Sequence, residues 1–222
     1  MIKGVGPATA DKLVEAFGLD TLEIISEQPT RLQEVEGIGP VKAKAIRAGL
    51  ALQEDIQNVM VFLQGHGISP AYANRIYRHY RQDAIAILQQ NPYRLADEVS
   101  GIGFRIADGI ASNLGIAPEA PERVRAGIKY TLEQSLEEGH VCVPRDYLVD
   151  RANEILAVSA HLIAQELCTL IDGEAIKLDI VGGVEVVYLP LIQAMEVAVA
   201  QRLQEWSKLA NPQDRLPLDL IT

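Results

Sequence analysis

Apolar residues recur along the first half of the chain in short helical stripes, and each stripe is introduced by a corner in which one apolar residue sits between two small ones. An Ala follows six residues after the first small residue, and an aliphatic residue nine after it. The pattern occurs four times: Gly4-Val5-Gly6 with Ala10 and Leu13, Gly37-Ile38-Gly39 with Ala43 and Ile46, Gly67-Ile68-Ser69 with Ala73 and Ile76, and Gly101-Ile102-Gly103 with Ala107 and Ile110. The spacing predicts a tight turn feeding a helix, with the apolar residue plugged back into a core and the Ala leaving room for a neighbouring helix. Glycines permit a positive φ and close backbone approach, and their N–H groups join the unpaired N–H groups of the helix's first turn. Such a corner is suited to holding a phosphate.

A longer repeat lies above the corner. Gly4, Ala10, Phe17, Ile24, Pro29, Arg31 and Leu32 match Gly67, Ala73, Tyr80, Ile87, Pro92, Arg94 and Leu95 at an offset of 63, and after one inserted residue Val35 to Gly39 matches Val99 to Gly103 at an offset of 64. The repeating unit is therefore a pair of corners. Connecting helices are expected near Thr21 to Glu27 and Asp83 to Gln89. Between the repeats, Leu52, Ile56, Val59, Met60 and Leu63 fall at helical spacing and predict a linking helix. The third corner departs from the others, with Ser69 at the second small position and Gly65 where Ile2, Val35 and Val99 stand.

From Pro121 the pattern changes. Val124, Ile128, Leu132 and Leu136 form one stripe between Pro121 and Gly139, the usual punctuation of a helix. Helices are expected at Arg145 to Leu156 and Ala160 to Ile171. Two β-rich runs, Ala175 to Val181 and Val184 to Leu189, are joined by Gly182-Gly183 and read as a hairpin. Three helices followed by a β-hairpin make a winged-helix architecture. A last helix, Leu191 to Lys208, leads into Asn211-Pro212. The expected domains are thus residues 1–50, a linking helix over 51–64, 65–118, 119–190, and a helix and linker over 191–222.

Composition narrows the class. A chain of 222 residues with 48% hydrophobic content can bury real cores. It contains no apolar run of about 18 residues and no basic-then-apolar start, so neither a membrane span nor an export signal is expected and the cytoplasm is the expected compartment. Cys142 and Cys168 lack C-x-x-C partners, and Cys168, within Leu167 to Ile171, is expected in the core. His66, His79, His140 and His161 show no metal-ligand spacing. The net charge is −10, but residues 1–116 hold 11 Lys and Arg against 13 Asp and Glu, whereas residues 117–222 hold 9 against 17. Basic groups gather at the corners: Lys3 and Lys12, then Lys42, Lys44 and Arg47, then Arg75, Arg78 and Arg81, then Arg105.

The corner is the pattern of the helix-hairpin-helix motif, and the expected fold is mainly α: two tandem double helix-hairpin-helix units followed by a winged-helix-like domain with one β-hairpin. The order of two double hairpins, Glu138-Gly139-His140-Val141, a winged helix, and Tyr188-Leu189-Pro190 entering a helix resembles the amino-terminal half of bacterial RecD-type ATP-dependent DNA helicases of the RecD/TraA group, over roughly residues 2–210. In that family the region precedes two RecA-like motor domains that hydrolyse ATP with Mg and move 5′ to 3′ along single-stranded DNA. This chain contains no G-x-x-x-x-G-K-[ST]. The resemblance therefore implies a non-catalytic fragment, monomeric, with no cofactor of its own, that meets single-stranded or forked DNA without sequence preference beside motor domains supplied in cis.

The residues expected at DNA are Lys3, Gly4, Gly6, Lys12, Gly37, Gly39, Lys42, Lys44, Gly67, Ser69, Gly101, Gly103 and Arg105. Main-chain amides on phosphates carry no sequence information, which suits a motor passing over any sequence. Tyr72, Tyr77 and Tyr80 are candidates for stacking on bases, although helical spacing makes Tyr80, the counterpart of Phe17, a core residue first. Two rivals stand beside this reading. Helix-hairpin-helix motifs also occur in DNA glycosylases, but the acidic pairs Asp97-Glu98 and Glu137-Glu138 are adjacent in sequence and do not converge as an acid/base dyad. A protein-docking scaffold is the stronger rival, favoured by the acidity of the second half and by the helix at Ala160 to Ile171, whose sole charge is Glu166. Lys177 is the expected basic group at the wing.

Overall fold

The computed structural model describes residues 5–209; Lys3, Gly4 and Asn211-Pro212 lie outside the described residues. The chain divides into an amino-terminal lobe ending at Gly115 and a carboxy-terminal lobe beginning at Ile116.

The first lobe is helical and carries both repeats. α1 (Pro7–Phe17), α2 (Thr21–Glu27) and a 3-10 turn (Pro29–Glu34) lead to the long α3 (Pro40–Gly65). α4 (Pro70–Tyr80), α5 (Ala84–Gln90), the short α6 (Arg94–Glu98) and α7 (Phe104–Asn113) repeat the sequence of elements. Proline opens α1, α3 and α4, where its missing N–H costs nothing and its φ is already helical. The core follows the expected stripes. Leu13, Ile24, Leu32, Val35, Ile38, Ala43, Ile46 and Leu50 pack as one cluster in the first repeat. Ile68, Ala73, Ile76, Leu88, Leu95, Ile102, Ala107 and Ile110 are buried in the second. Each fully buried Leu or Ile contributes about 1.5–3 kcal/mol by the area it removes from water.

The linking segment is not a separate helix. It is the second half of α3, whose 26 residues run unbroken through Gly49. Buried side chains hold this helix at its two ends, Ile46 and Leu50 at one and Val59 and Leu63 at the other, while Ala51 to Glu54 are exposed. Leu52, expected on the apolar stripe, is 55% exposed for that reason. The two repeats also share an unusual conformation. Gly18 ends α1 at φ 56°, ψ −130°, and Arg81 ends α4 at φ 55°, ψ −131°.

The second lobe packs α8 (Pro121–Glu137), α9 (Arg145–Leu156) and α10 (Ala160–Asp172) with a small sheet formed by β1 (Val143–Pro144), β2 (Lys177–Val181) and β3 (Val184–Tyr188). The strand order is β1-β3-β2, all antiparallel, with Val143 opposite Val187 and Leu178 opposite the same Val187. Gly182 and Gly183 both take positive φ, 59° and 81°, as a two-residue hairpin turn requires. Only two residues long, β1 has no alternation to betray it, and the sequence does not predict it. Val124, Ile128 and Leu132 of α8 are buried, as are Leu148 and Leu156 of α9 and Ile163 and Leu167 of α10, the two helices that pack against it. Gly127 lets α9 close in, because a methyl group there would overlap the Leu156 side chain. α11 (Pro190–Leu209) follows β3.

Two expectations for this lobe change, those for Cys168 and Lys177. Cys168 is exposed rather than core: Ile163, Leu167 and Leu170 define the inward face of α10, and Cys168 points off it towards Arg145 Nη2 at 3.5 Å. Glu166, the charge on α10, is buried and accepts a hydrogen bond from Arg125 Nη1 at 2.9 Å, which ties α8 to α10. Lys177 pairs with Glu174 at 2.9 Å, and it is not the lone basic group near the hairpin, since Arg145 reaches Glu185 on β3 at 2.9 Å. Among the described residues no single helix is long and apolar enough to cross a membrane.

Candidate nucleic-acid interface

The corners divide the two roles that the sequence assigned jointly to their small residues. In the second and fourth, a four-residue turn closes from the Ile38 N–H to the Val35 carbonyl at 3.1 Å and from the Ile102 N–H to the Val99 carbonyl at 3.0 Å. Gly37 and Gly101 hold the third position of these turns at φ 85° and 80°, where a side chain would be strained. The second small residue needs no such freedom. Gly6, Gly39 and Gly103 are extended N-caps of α1, α3 and α7, and none of these helices has a side-chain cap. In α3 the first-turn N–H groups of Val41 and Lys42 are therefore left for an external acceptor, at the positive end of the helix dipole.

The third corner is built differently. It leaves the end of α3 through a Schellman cap, with the Ile68 N–H on the Leu63 carbonyl and the Gly67 N–H on the Gln64 carbonyl, both at 3.0 Å. Ser69 then caps α4 with its own hydroxyl, which accepts from the Tyr72 N–H at 3.5 Å. Asn113 Nδ2 donates to the His66 carbonyl at 2.9 Å, beside Gly67. This corner is thus satisfied internally.

Long basic side chains join the corners in pairs. Lys12 Nζ lies 3.4 Å from the Glu36 carbonyl, and Lys42 Nζ lies 3.3 Å from Thr9 Oγ1 and 3.5 Å from the Gly37 carbonyl. Lys12, Gly37 and Lys42 are thereby brought together across the first two hairpins. In the second repeat Arg75 Nη1 lies 3.4 Å from the Gly101 carbonyl. Arg75 is not among the residues expected at DNA, yet it stands 63 residues from Lys12, so the repeat offset itself carries the signal. Lys44 and Arg47 are exposed on the outer face of α3, and Arg105 is exposed on α7. Tyr77 and Tyr80 are buried, which removes them from the stacking candidates, and Tyr72 lies under Arg75 with the guanidinium carbon 5.9 Å from the ring centre.

Behind the corners each repeat is braced by the same triad. Arg31 stacks on Phe17 at 5.5 Å and pairs with Glu34 at 3.2 Å. Its counterpart Arg94 stacks on Tyr80 at 5.9 Å and pairs with Glu98 at 2.7 Å, while the Tyr80 hydroxyl donates to Glu98 at 2.9 Å. Burial, then the hydrogen bond to the Glu98 carboxylate, pushes the Tyr80 phenol up to about 12. The Arg94 hydrogen bond, opposed by burial and helped by the Tyr80 hydroxyl, holds Glu98 below the usual carboxylate range. No group of three or more metal-ligating side chains occurs among the described residues.

Paired corners with extended caps, each backed by a helix, define the first lobe as a tandem of helix-hairpin-helix motifs. Residues 1–52 match the family model described as a SAM-like helix-hairpin-helix tandem, and residues 52–142 match that of the ATP-dependent RecD2 DNA helicase HHH domain. The chain is also 28% identical over 145 residues to the ATP-dependent RecD2 DNA helicase of Deinococcus radiodurans. That match covers 65% of this chain and 20% of the relative, so the chain spans about a fifth of that relative's length. Together these matches support the assignment reached from the motifs, a helix-hairpin-helix region of a RecD-type helicase.

Proposed function

We propose that this chain is a sequence-independent DNA-binding region of a RecD-like 5′–3′ ATP-dependent DNA helicase, and that it grips the phosphate backbone through the amides of its hairpin corners. The observation that carries the reading is the second corner, where an uncapped helix start is joined by Lys12 and Lys42, with Lys44 exposed on the first turns of the same helix. ATP and Mg belong, on this reading, to motor domains in cis, and the region adds grip rather than chemistry. The second lobe is read as a winged-helix-like domain, which its element order and β1-β3-β2 sheet support, and its α10 serves structure rather than base readout on this reading, since its buried Glu166 pairs with Arg125. The region works as a monomer in the cytoplasm and favours single-stranded or forked DNA.

Fluorescence anisotropy with single-stranded, duplex and forked oligonucleotides across a salt series tests this. Binding is expected to be indifferent to sequence and to weaken by about 0.7–0.9 log units per phosphate contact for each tenfold rise in salt. Reversing the charge of Lys42 and Lys44 is expected to abolish it while leaving the fold intact. Retained affinity in that variant, or no binding at low salt, would refute the grip.

The rival is a scaffold that docks protein without touching DNA. It is favoured by α11, where Leu191, Met195, Val199, Leu203 and Trp206 form one exposed apolar stripe.

A further inference from the structure

The two repeats differ sharply at one place. In the first, an open groove of about 260 Å³ runs between the 3-10 turn at Pro29–Glu34 and α3, floored by Ala43, walled by Thr30 and Pro40, and edged by Lys44 and Arg47. The repeat offsets give the counterpart of each residue: Thr30 becomes Tyr93, Pro40 becomes Phe104, Ala43 becomes Ala107, Lys44 becomes Asp108 and Arg47 becomes Ala111. In the second repeat this space is closed by the protein itself. The Tyr93 and Phe104 rings stack with centroids 6.1 Å apart and planes 23° from parallel, and the Tyr93 hydroxyl donates to Asp108 at 2.7 Å. Tyr93, Phe104, Ala107 and Ala111 are all buried.

We infer that the groove of the first repeat accepts an unpaired base of single-stranded DNA, in the space its twin fills with aromatic rings, while Lys44 and Arg47 hold the adjoining phosphate. Three features fix the occupant. The twin shows that the backbone frame of the repeat accommodates flat rings here. Lys44 and Arg47 sit three residues apart on one face of α3 and make no hydrogen bond or ion pair among the described residues, so their charge is available to an anion. The edge group has also changed sign: where Asp108 accepts a hydrogen bond from a phenol, Lys44 offers an ammonium, whose charge suits the phosphate of a nucleotide. Pro40 and Ala43 offer a base apolar contact and the Arg47 guanidinium a cation–π contact that every base can make, while Thr30 and Gln33 are the uncharged polar side chains of the lining.

This inference rests on the DNA-binding reading above, and one experiment separates the two. The whole chain is titrated against a labelled oligothymidylate of about twelve nucleotides and against the same backbone carrying abasic sites throughout. The chain is expected to prefer the base-bearing strand by about 3- to 10-fold, the lower end of base-stacking effects, since no aromatic side chain lines the groove. The variant Thr30→Tyr/Pro40→Phe, which installs the twin's rings and leaves both cations in place, is expected to lose that preference while binding the abasic strand as before. Circular dichroism checks its fold, and Thr30→Phe alone replaces it if the double variant does not fold. Equal affinity of the unaltered chain for the two strands overturns the groove and leaves the backbone grip standing, as does a preference that survives the filled groove. No binding of either strand removes the DNA reading and the groove with it, and capture of aromatic peptides in their place assigns the groove to protein.

Discussion

The two halves of the first lobe are built to one plan and have been finished in opposite ways. Both place a turn glycine at positive φ, an aliphatic plug behind it and an arginine stacked on an aromatic ring. The second repeat then closes itself. Its groove is filled by Tyr93 and Phe104, its Ser69 caps α4, and Asn113 covers the third corner. The first repeat leaves the matching groove open, with Lys44 and Arg47 at its edge, and starts α1 without a side-chain cap, with Lys12 and Lys42 reaching across its hairpins. A duplicated frame thus shifts the balance between stability and contact: the second copy closes its groove and its third corner, and only its fourth corner keeps the uncapped helix start that the first copy also presents.

The largest test of that division is Tyr93→Ala, which removes the stacked ring and its hydrogen bond to Asp108. It is expected to cost about 3–5 kcal/mol, whereas Thr30→Ala at the matching exposed position is expected to stay within about 0.5 kcal/mol. Urea denaturation of the two variants makes the comparison directly. At the end of α4, Arg81 occupies a conformation that its counterpart Gly18 takes without a side chain. Arg81→Gly is therefore expected to raise stability by about 1 kcal/mol, less whatever the Arg81 contact with Tyr77 contributes, and Gly18→Arg to lower it by about 1–3 kcal/mol. A shift of thermal midpoint in the wrong direction for either would break the parallel between the two positions.

A smaller effect belongs to the hydroxyl that distinguishes Tyr80 from Phe17. Tyr80→Phe loses the donor to Glu98 and is expected to cost about 1 kcal/mol. The smallest effect is with pH. Because Glu98 is held below its ordinary pKa in the fold, its contribution is complete above the ordinary carboxylate pKa and is lost as pH falls through the lowered one. Glu98→Gln is thus expected to be less stable than the unaltered chain near neutrality and to show a shallower loss of stability on acidification. Denaturation midpoints followed from about pH 6 to about pH 3 read out both parts of that statement.

The corner motif and the repeat offset were enough to reveal the first lobe, because plug, Ala and aliphatic positions are dictated by packing and recur at fixed spacing. Ile38, Ile68 and Ile102 are buried as that grammar requires. What escaped the sequence depended on the neighbours of a residue rather than on its place in a period. Cys168 lies in an apolar run yet faces out, since the run is one turn of a helix with a single inward side. The strand at Val143–Pro144 exists only because β3 pairs with it. The three expected roles of Gly67, Ser69 and Tyr77 were blurred for the same reason: a Schellman cap, a hydroxyl cap and burial are decided by where the chain returns.

The unbroken α3 sets the spacing between the two finishes. At about 1.5 Å and 100° per residue, its 26 residues make a rod about 39 Å long whose far end has a fixed azimuth relative to its near end. The two pairs of corners are accordingly indexed rather than tethered. One residue added at the exposed waist near Ala51 would swing the second pair about a quarter-turn around the rod, whereas two full turns added there would return it to register at a longer reach. The length of that helix is therefore a gauge, cut in whole turns, for the separation between the first pair of corners and the second.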